Sequence, residues 1–418
     1  MSLWLRPISA LISALIAIAG PASWAQPHQR HGRQPTSVRP ESSAPWVLDR
    51  MTLGEKVGQL LMVGTPASSA APATMASISR LHVGNVMLTG RSYAGAAHAG
   101  RVARAAQHLV TSQSTCGVRL LVATDQEGGS VQVLHGPGLA EMPSALDQGR
   151  LDPHQLRTVS RSWGEQLRAS GVNMNFAPVS DTVPGIGAAD ANPPIGVYRR
   201  EFGFDPHTVA AHSRAFALGM LGAGVVPVLK HFPGLGRVHA NTDTASGVTD
   251  YVTTRHDRDV GPFAEAIRAG APVVMMSTAY YHRIDPHHPA AFSARVISGM
   301  LRSDLGFTGV VVSDDLGSAR QVSAWNDGDR ALEFIEAGGD IVLTVDPSAV
   351  PAMYHAVLSR ARHSPSFRAK VDAAALRVLK LKEQHRLIGG ASCSAELAPD
   401  LGPPMRRPAY SASAITHP

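Results

Sequence analysis

The segment VVPVLKHFPGLG, residues 225–236, decides the fold of this chain. Val225 to Leu229 form a short apolar strand that ends in Lys230 and His231, and a Pro/Gly loop follows. A cation at the end of a buried strand is costly to desolvate unless a site there uses its charge. Lysine is also scarce, with five residues among 38 basic ones, which argues against a casual surface charge. We therefore expect a ligand site at the carboxyl end of a barrel strand.

Short apolar runs alternate with helical segments along the chain, which is typical of an α/β fold. The eight strand candidates are Leu60–Val63, Gly84–Leu88, Leu120–Thr124, Val172–Ala177, Val225–Leu229, Pro272–Met276, Gly309–Val312 and Asp340–Leu343. The clearest helical candidates are Asp152–Ser170, Pro206–Ala223, Val260–Ala269, Asp327–Ala337 and Ala369–Lys382. Eight such units predict a single catalytic domain that folds as a (β/α)8 TIM-type barrel.

Residues 1–25 are typical of a cleaved secretory signal peptide. Arg6 precedes an apolar run over Ile8–Ala19, and Ser23-Trp24-Ala25 fits a small-x-small cleavage site. The alternative is a buried N-terminal helix. No cysteine follows the apolar run, so we expect no lipid anchor and no lipobox, and a secreted or periplasmic protein.

The remaining boundaries follow from composition. Residues 26–45 carry too few large apolar side chains to fold and predict a disordered linker, and residues 391–418 predict a flexible tail. The barrel then spans residues 46–390 and contains no run long and apolar enough for a membrane span. Cys116 and Cys393 can pair in an exported protein, and two unpaired small apolar residues are the equal alternative.

The net charge of +6 is modest, and part of it comes from the N-terminal segments. No basic stripe with interleaved aromatic residues appears, so a nucleic-acid partner is not expected. We expect a monomer whose partner is a carbohydrate.

Charged and polar residues follow the ends of five strand candidates. They are Asp125, Asp181, Lys230, His231, Ser277, Asp314 and Asp315. The carboxyl ends of parallel barrel strands share one rim, where carboxylates and cations together can hydrogen-bond hydroxyl groups in both directions. This pattern predicts a site for a polyhydroxylated ligand.

Asp314 and Asp315 follow directly on a buried strand. Successive strand residues point to opposite faces, so only one of the two carboxylates can face the barrel axis while the other caps the following helix. We interpret Asp314 as a nucleophile or a stabiliser of a cationic transition state. The alternative is that both side chains are caps.

Three further segments are candidates for ligand contacts. Asp125 precedes a Gly-Gly turn that allows close backbone approach, and its carboxylate can accept hydrogen bonds from sugar hydroxyls. Arg200, one of two adjacent arginines, can orient a ligand with its forked guanidinium. The loop after the fifth strand, residues 237–243, can carry a general acid/base. Each has a structural alternative, respectively a turn, a solvated arginine and an ordinary polar loop.

A metal site is the less favoured interpretation of His282, Asp285, His287 and His288. Adjacent histidines in a proline-flanked loop are more often plain surface.

The motifs together resemble the family 3 glycoside hydrolases, in the branch of single-domain bacterial β-N-acetylglucosaminidases (β-hexosaminidases). The likeness rests on the opening-helix sequence LGEKVGQL and on DQEGG, NFAPV, KHFPG and SDDL, which occur in the family's order. It implies a TIM barrel, retaining chemistry, and neither metal nor organic cofactor. It further implies that Asp314 attacks the anomeric carbon and that Asp125, Arg200, Lys230 and His231 hold the sugar.

The chain departs from this family at the acid/base loop. The family's Asp-Ser-His triplet aligns with Asn241-Thr242-Asp243, so Asp243 becomes the candidate acid/base and Asn241 its candidate orienter. His239 is a weaker acid/base candidate without a known partner.

Further departures affect the sugar pocket. Leu235 stands where the family usually has a histidine, Val133 replaces a common arginine, and Ser277 or Thr278 replaces a histidine after the sixth strand. The preference for N-acetylglucosamine is therefore open.

These observations predict an exported retaining exo-glycosidase that hydrolyses terminal β-linked N-acetylhexosamine, from cell-wall or related glycans. One alternative is a β-glucosidase-type exo-glycosidase. The other is a non-catalytic glycan-binding barrel with a degenerate acid/base loop.

Overall fold

A computed structural model describes residues 43–389 and Cys393 of this 418-residue chain. The predicted signal peptide, residues 26–42 of the predicted linker, and residues 390–392 and 394–418 around the predicted tail lie outside the described residues. The first helix starts at Ala44, where Ser43 accepts a hydrogen bond from Trp46 N, so the folded region begins before the predicted linker ends at residue 45.

Eight parallel strands form a closed barrel, which confirms the predicted fold. The strands are β1 (Leu61–Pro66), β2 (Asn85–Thr89), β3 (Leu121–Thr124), β4 (Met174–Asn175), β5 (Val226–Phe232), β6 (Val273–Met276), β7 (Val310–Asp315) and β8 (Ile341–Thr344). Each strand pairs with its neighbour in sequence, and β1 pairs with β8 in the register Leu61 to Val342. All eight predicted strands are present, with shifted ends.

Helices surround the barrel. Their bounds are α1 (Ala44–Arg50), α2 (Leu53–Gln59), α3 (Pro72–Leu81), α4 (Ala96–Gln107), α5 (Pro153–Ala169), α6 (Pro206–Gly222), α7 (Gly261–Arg268), α8 (Asp327–Ala337), α9 (Val350–His363) and α10 (Pro365–Gln384). The segments Ala145–Gln148, Ile186–Ala189 and Arg295–Asp304 are also helical. Asp152 caps α5, since its side chain accepts hydrogen bonds from the backbone N–H groups of His154 and Gln155.

The hydrophobic core has two layers because strand side chains alternate in direction. The side chains on one face of each strand fill the barrel interior, and this set (the interior parity) includes Val226, Val228, Val310 and Val312. The side chains on the opposite face pack against the helices, as Leu229 and Val311 do. The interior parity continues to Lys230 on β5 and to Asp314 on β7, so both lie at the carboxyl mouth of the barrel.

Two of the shifted strand ends lie next to residues at the barrel mouth. Strand β5 runs on to Phe232, so Lys230 and His231 belong to the strand, and the register with β6 shifts between Leu229 and Phe232. Such an irregularity re-aims side chains, and both residues reach the mouth. Strand β4 is shorter than predicted, although its backbone stays bonded to both neighbours beyond Asn175: Phe176 N donates to Thr124 O, and Ala177 O accepts from Val228 N.

Cys116 and Cys393 are joined by a disulfide, which decides between the two alternatives left open by the sequence. Among the described residues, no helix is long and apolar enough to cross a membrane.

Candidate active site

A cavity of about 470 Å³ opens at the carboxyl mouth of the barrel. The predicted site residues that line it are Asp125, Arg200, Lys230, His231, Asn241, Asp243, Asp314 and Asp315. Their convergence from β3, β5, β7 and the intervening loops follows from the shared direction of parallel strands. The neutral part of the wall is contributed by Met87, Phe176, Tyr198, Leu235, Met275 and Leu343.

A buried ion-pair cluster forms one wall of the cavity. Lys230 Nζ lies 2.6 Å from Asp125 Oδ1 and 2.7 Å from Glu127 Oε1. Arg200 donates two hydrogen bonds to Glu127, from Nε at 2.9 Å and from Nη2 at 2.8 Å. The side chains of Lys230 and Glu127 are each 3 % exposed, whereas Asp125 is 25 % exposed and can reach a ligand.

The cluster keeps Glu127, Arg200 and Lys230 charged. Burial alone raises the pKa of Glu127, but Arg200 and Lys230 outweigh it and lower this pKa to about 2. Burial alone lowers the pKa of Lys230, and Asp125 with Glu127 reverses the effect, so the net pKa is raised. Fixed charges of both signs beside a cavity suit hydroxyl groups, which donate and accept.

Asp125 and Glu127 are held in place by the neighbouring strand. Asn175 at the end of β4 accepts a hydrogen bond from Gln126 N and donates one to Gln126 O, both at 3.0 Å. Gly128 then turns the chain with φ of 107°, a conformation that favours glycine.

His231 is oriented by a buried carboxylate. Its Nδ1 lies 2.7 Å from Asp181 Oδ2, and Asp181 Oδ1 accepts hydrogen bonds from the backbone N–H groups of His231 and Leu235. Asp181 itself is fully buried and does not line the cavity, in contrast to the predicted rim position. It is a positioning residue for the imidazole, whose other nitrogen remains available to the cavity side.

Asp314 and Asp315 both line the cavity, and Asp315 holds a turn and the end of β8 rather than the predicted helix cap. Asp315 Oδ1 accepts from the backbone N–H groups of Gly317 and Val345, and its Oδ2 accepts from Ser318 N. Asp314 has the parity of the barrel interior. Burial raises the pKa of Asp314; His231 lowers it, Asp243 raises it again, and the result is a pKa of about 6.

The acid/base loop places Asp243 in the cavity wall as an exposed residue. The Asn241 Oδ1 atom accepts a hydrogen bond from Asp243 N at 2.9 Å, so Asn241 fixes the backbone of this loop rather than the carboxylate. His239 does not line the cavity: it is exposed, and its Nδ1 lies 3.1 Å from the carbonyl oxygen of Ala191. Of the two acid/base candidates, Asp243 therefore lines the cavity and His239 does not.

Other predicted positions lie away from the cavity. Ser277 and Thr278 are fully buried, and Ser277 Oγ accepts a hydrogen bond from Ala279 N. Val133 is buried in the helix-side core. The Asp285 carboxylate contacts Ser293 and His288, and the described residues contain no group of three metal-binding side chains there or elsewhere.

Sequence reasoning missed the role of Glu127 and of Tyr198. Glu127 lies two residues after Asp125. On an extended segment this spacing places both carboxylates on one side, so the sequence could have indicated that Glu127 belongs to the site. Tyr198 is 47 % exposed at the cavity edge, where an aromatic ring can stack on a sugar face. No sequence pattern set it apart from other loop tyrosines.

Known proteins resemble this chain along most of its length. It is 37% identical over 264 residues to a β-hexosaminidase of Stenotrophomonas maltophilia (strain K279a), a match that covers 61% of this chain and 76% of that protein. A β-hexosaminidase of Xylella fastidiosa (strain 9a5c) is 35% identical over 310 residues, which cover 72% of this chain and 88% of that protein.

A solved structure extends this similarity to three dimensions. The crystal structure of a β-N-acetylhexosaminidase from Beutenbergia cavernae DSM 12333 superposes with a TM-score of 0.79 at 54% sequence identity, covering 80% of this chain and 99% of that one. The family model for the glycosyl hydrolase family 3 N terminal domain matches residues 52–381. With this match spanning the whole barrel, the chain belongs to glycoside hydrolase family 3.

Proposed function

We propose that this protein is an exported retaining exo-β-N-acetylhexosaminidase that acts through a glycosyl-enzyme on Asp314. The observation that carries the proposal is the arrangement of one cavity, in which Asp314 shares the barrel mouth with His231 and the Lys230–Asp125 pair. The similarity to β-hexosaminidases supports a β-linked N-acetylhexosamine as the sugar.

In the first step Asp314 attacks the anomeric carbon as a carboxylate. Its pKa of about 6 leaves it mostly ionised at neutral pH. Asp125, Lys230, Arg200 and His231 hold the sugar, since their fixed donors and acceptors surround the position where it must bind. The C1–O bond breaks as the C1–Oδ bond to Asp314 forms.

Asp243 is the proposed acid/base. As a neutral acid it protonates the leaving oxygen. As a carboxylate it later takes a proton from the water that attacks the anomeric carbon, and the C1–Oδ bond to Asp314 breaks. The repulsion between Asp243 and Asp314 is reflected in the raised pKa of Asp314.

Azide rescue tests the two roles separately. With an aryl β-N-acetylglucosaminide, Asp314→Ala is expected to lose turnover, and azide then attacks the substrate directly to give the α-glycosyl azide. Asp243→Ala is expected to keep rapid glycosylation by a dinitrophenyl glycoside, which needs no acid, and to give the β-glycosyl azide. The neighbouring Thr244→Ala is the control and should behave as wild type. Full activity of Asp314→Ala without azide would contradict the proposal.

A panel of aryl glycosides tests the sugar. We expect the N-acetylglucosaminide to be hydrolysed with a higher kcat/KM than the glucoside. The reverse order would favour the β-glucosidase alternative, and saturable binding of all glycosides without turnover would favour the glycan-binding alternative.

Export and action on cell-wall or related glycans are further parts of the proposal. The sequence of residues 1–25 and the disulfide between Cys116 and Cys393 support them, because disulfides persist in oxidising compartments. Expression of the full chain in a bacterial host should release a protein whose N-terminus is Gln26. An intact Met1 on the protein in the cytoplasm would contradict export.

A further inference from the structure

A second and larger cavity lies at the opposite end of the barrel. Its volume is about 690 Å³, and residues that precede β4 and β5, such as Asn173 and Gly224, contribute to its wall. Because the amino ends of parallel strands share one face, this cavity is separated from Asp314 by the length of the barrel. Neither the proposed hydrolysis nor the sugar site uses it.

The cavity is lined by basic groups from separate elements. They are Arg104 and His108 at the end of α4, Arg119 before β3, Arg168 on α5, and His385 and Arg386 after α10. No aspartate or glutamate is among the described residues that line it. Burial lowers the pKa of His385, and the positive charge of the neighbouring Arg168 lowers it further.

The four arginines of this cavity are exposed, and they differ from the half-buried arginines elsewhere in the contacts they make. Arg200, Arg237 and Arg302 each contact a carboxylate. Within the described ranges, the four cavity arginines have no carboxylate partner; the only side-chain hydrogen bond of Arg168 there goes to the carbonyl oxygen of Gly224, at 3.1 Å.

The convergence of these cations is maintained by the fold. Arg119 N donates to Leu387 O at 2.9 Å, which ties the segment before β3 to the end of α10. Gln107 bridges to Leu120 with two hydrogen bonds, at 3.0 and 3.1 Å, and so joins α4 to the same segment. Like charges gathered in a concave wall concentrate positive potential, which an anion of matching size relieves.

We propose that this cavity is a binding site for an anion that carries several phosphate groups. Guanidinium groups pair with phosphate through two parallel hydrogen bonds, and four of them call for more than one phosphate. The volume also exceeds the need of a single inorganic phosphate. The ligand is either a compact oligophosphate or a chain of phosphodiesters, which share this recognition chemistry.

Calorimetric titration of the purified protein tests the site. Inorganic tripolyphosphate is the compact probe, a glycerol phosphate trimer is the diester probe, and inorganic phosphate is the reference, all at low salt and without divalent cations. The variant is Arg104→Ala with Arg119→Ala. The control is Arg157→Ala with Arg360→Ala, which removes two exposed charges outside the cavity.

We expect saturable binding of at least one probe at one site per chain, tighter than that of inorganic phosphate. The double variant should weaken it about tenfold or more, while the control stays within about twofold of wild type. The stronger probe identifies the ligand type. Equal weakening in both variants would indicate net charge alone and overturn the proposal, as would no saturable binding of either probe. Because binding is measured directly, the result is independent of whether the hydrolysis proposal holds, and thermal unfolding of both variants verifies their folding.

Discussion

Replacing Glu127 with glutamine removes the carboxylate that Lys230 and Arg200 share. Lys230 is buried and Arg200 half-buried, and Lys230 Nζ lies 2.7 Å from Glu127 Oε1. An amide in its place has one acceptor oxygen and an NH2 group that faces further donors. Glu127→Gln therefore leaves a buried positive charge without full compensation while the volume of the side chain is unchanged.

The size of the effect follows from the titration of Glu127. Its pKa is about 2 in the folded protein, compared with an ordinary value of 4.5. At about 1.4 kcal/mol per pKa unit, this interval corresponds to roughly 3 kcal/mol. A lowered carboxyl pKa contributes this stability above pH 4.5, and the contribution is lost as the pH falls toward 2. Removing one partner of a buried ion pair is expected to cost ~3–5 kcal/mol, which agrees.

Urea unfolding at pH 7, followed by tryptophan fluorescence, measures the loss. We expect the free energy of unfolding of Glu127→Gln to fall by roughly 3 kcal/mol. Glu141→Gln is the matched control, because Glu141 pairs with His135 but is 69% exposed. Its expected cost is below ~1 kcal/mol. A cost for Glu127→Gln no larger than that of the control would refute the reasoning.

Three further predictions concern protonation and orientation. Asp314 must be ionised to attack, so its pKa of about 6 predicts that kcat/KM declines below about pH 6. Asp243→Asn removes a neighbouring negative charge and should move this acidic limb to lower pH, measured with a dinitrophenyl glycoside because its glycosylation step needs no acid. An unmoved limb would contradict the interaction between the two carboxylates. Asp181→Asn should lower kcat/KM by roughly 10- to 100-fold, because His231 loses the carboxylate that orients it, while the free energy of unfolding changes little. Steady-state kinetics near the wild-type values would exclude that role. Burial lowers the pKa of Lys382 to about 7, so between pH 7 and about 10 the unfolded chain binds more protons than the folded one. The free energy of unfolding should therefore rise over this range, and the rise should disappear in Lys382→Met. Urea unfolding at both pH values measures it.

Strand-level features of this site were predictable because they depend on local pattern. The apolar runs before Lys230 and Asp314 predict strands, and the parity of side chains then places both residues at one mouth. These inferences need only neighbouring residues and the shared direction of parallel strands.

Loop-level features were not predictable in the same way. The contact of Asn241 with the backbone of Asp243 depends on the turn that the loop adopts, and the exclusion of His239 from the cavity depends on the position of Ala191. The pairing of Asp181 with His231 joins side chains 50 residues apart. Such contacts arise from tertiary packing, which no periodicity in a single sequence encodes.

The pairing of β1 with β8 has a consequence for how the chain reaches its folded state. The two strands that seal the barrel, joined in the register Leu61 to Val342, come from opposite ends of the described sequence. Until β8 has been synthesised, β1 and β7 each present an open edge of unpaired amide and carbonyl groups that can recruit other chains. Ring closure is thus a late, non-local event, and both edges stay open to other chains until the last strand has been made.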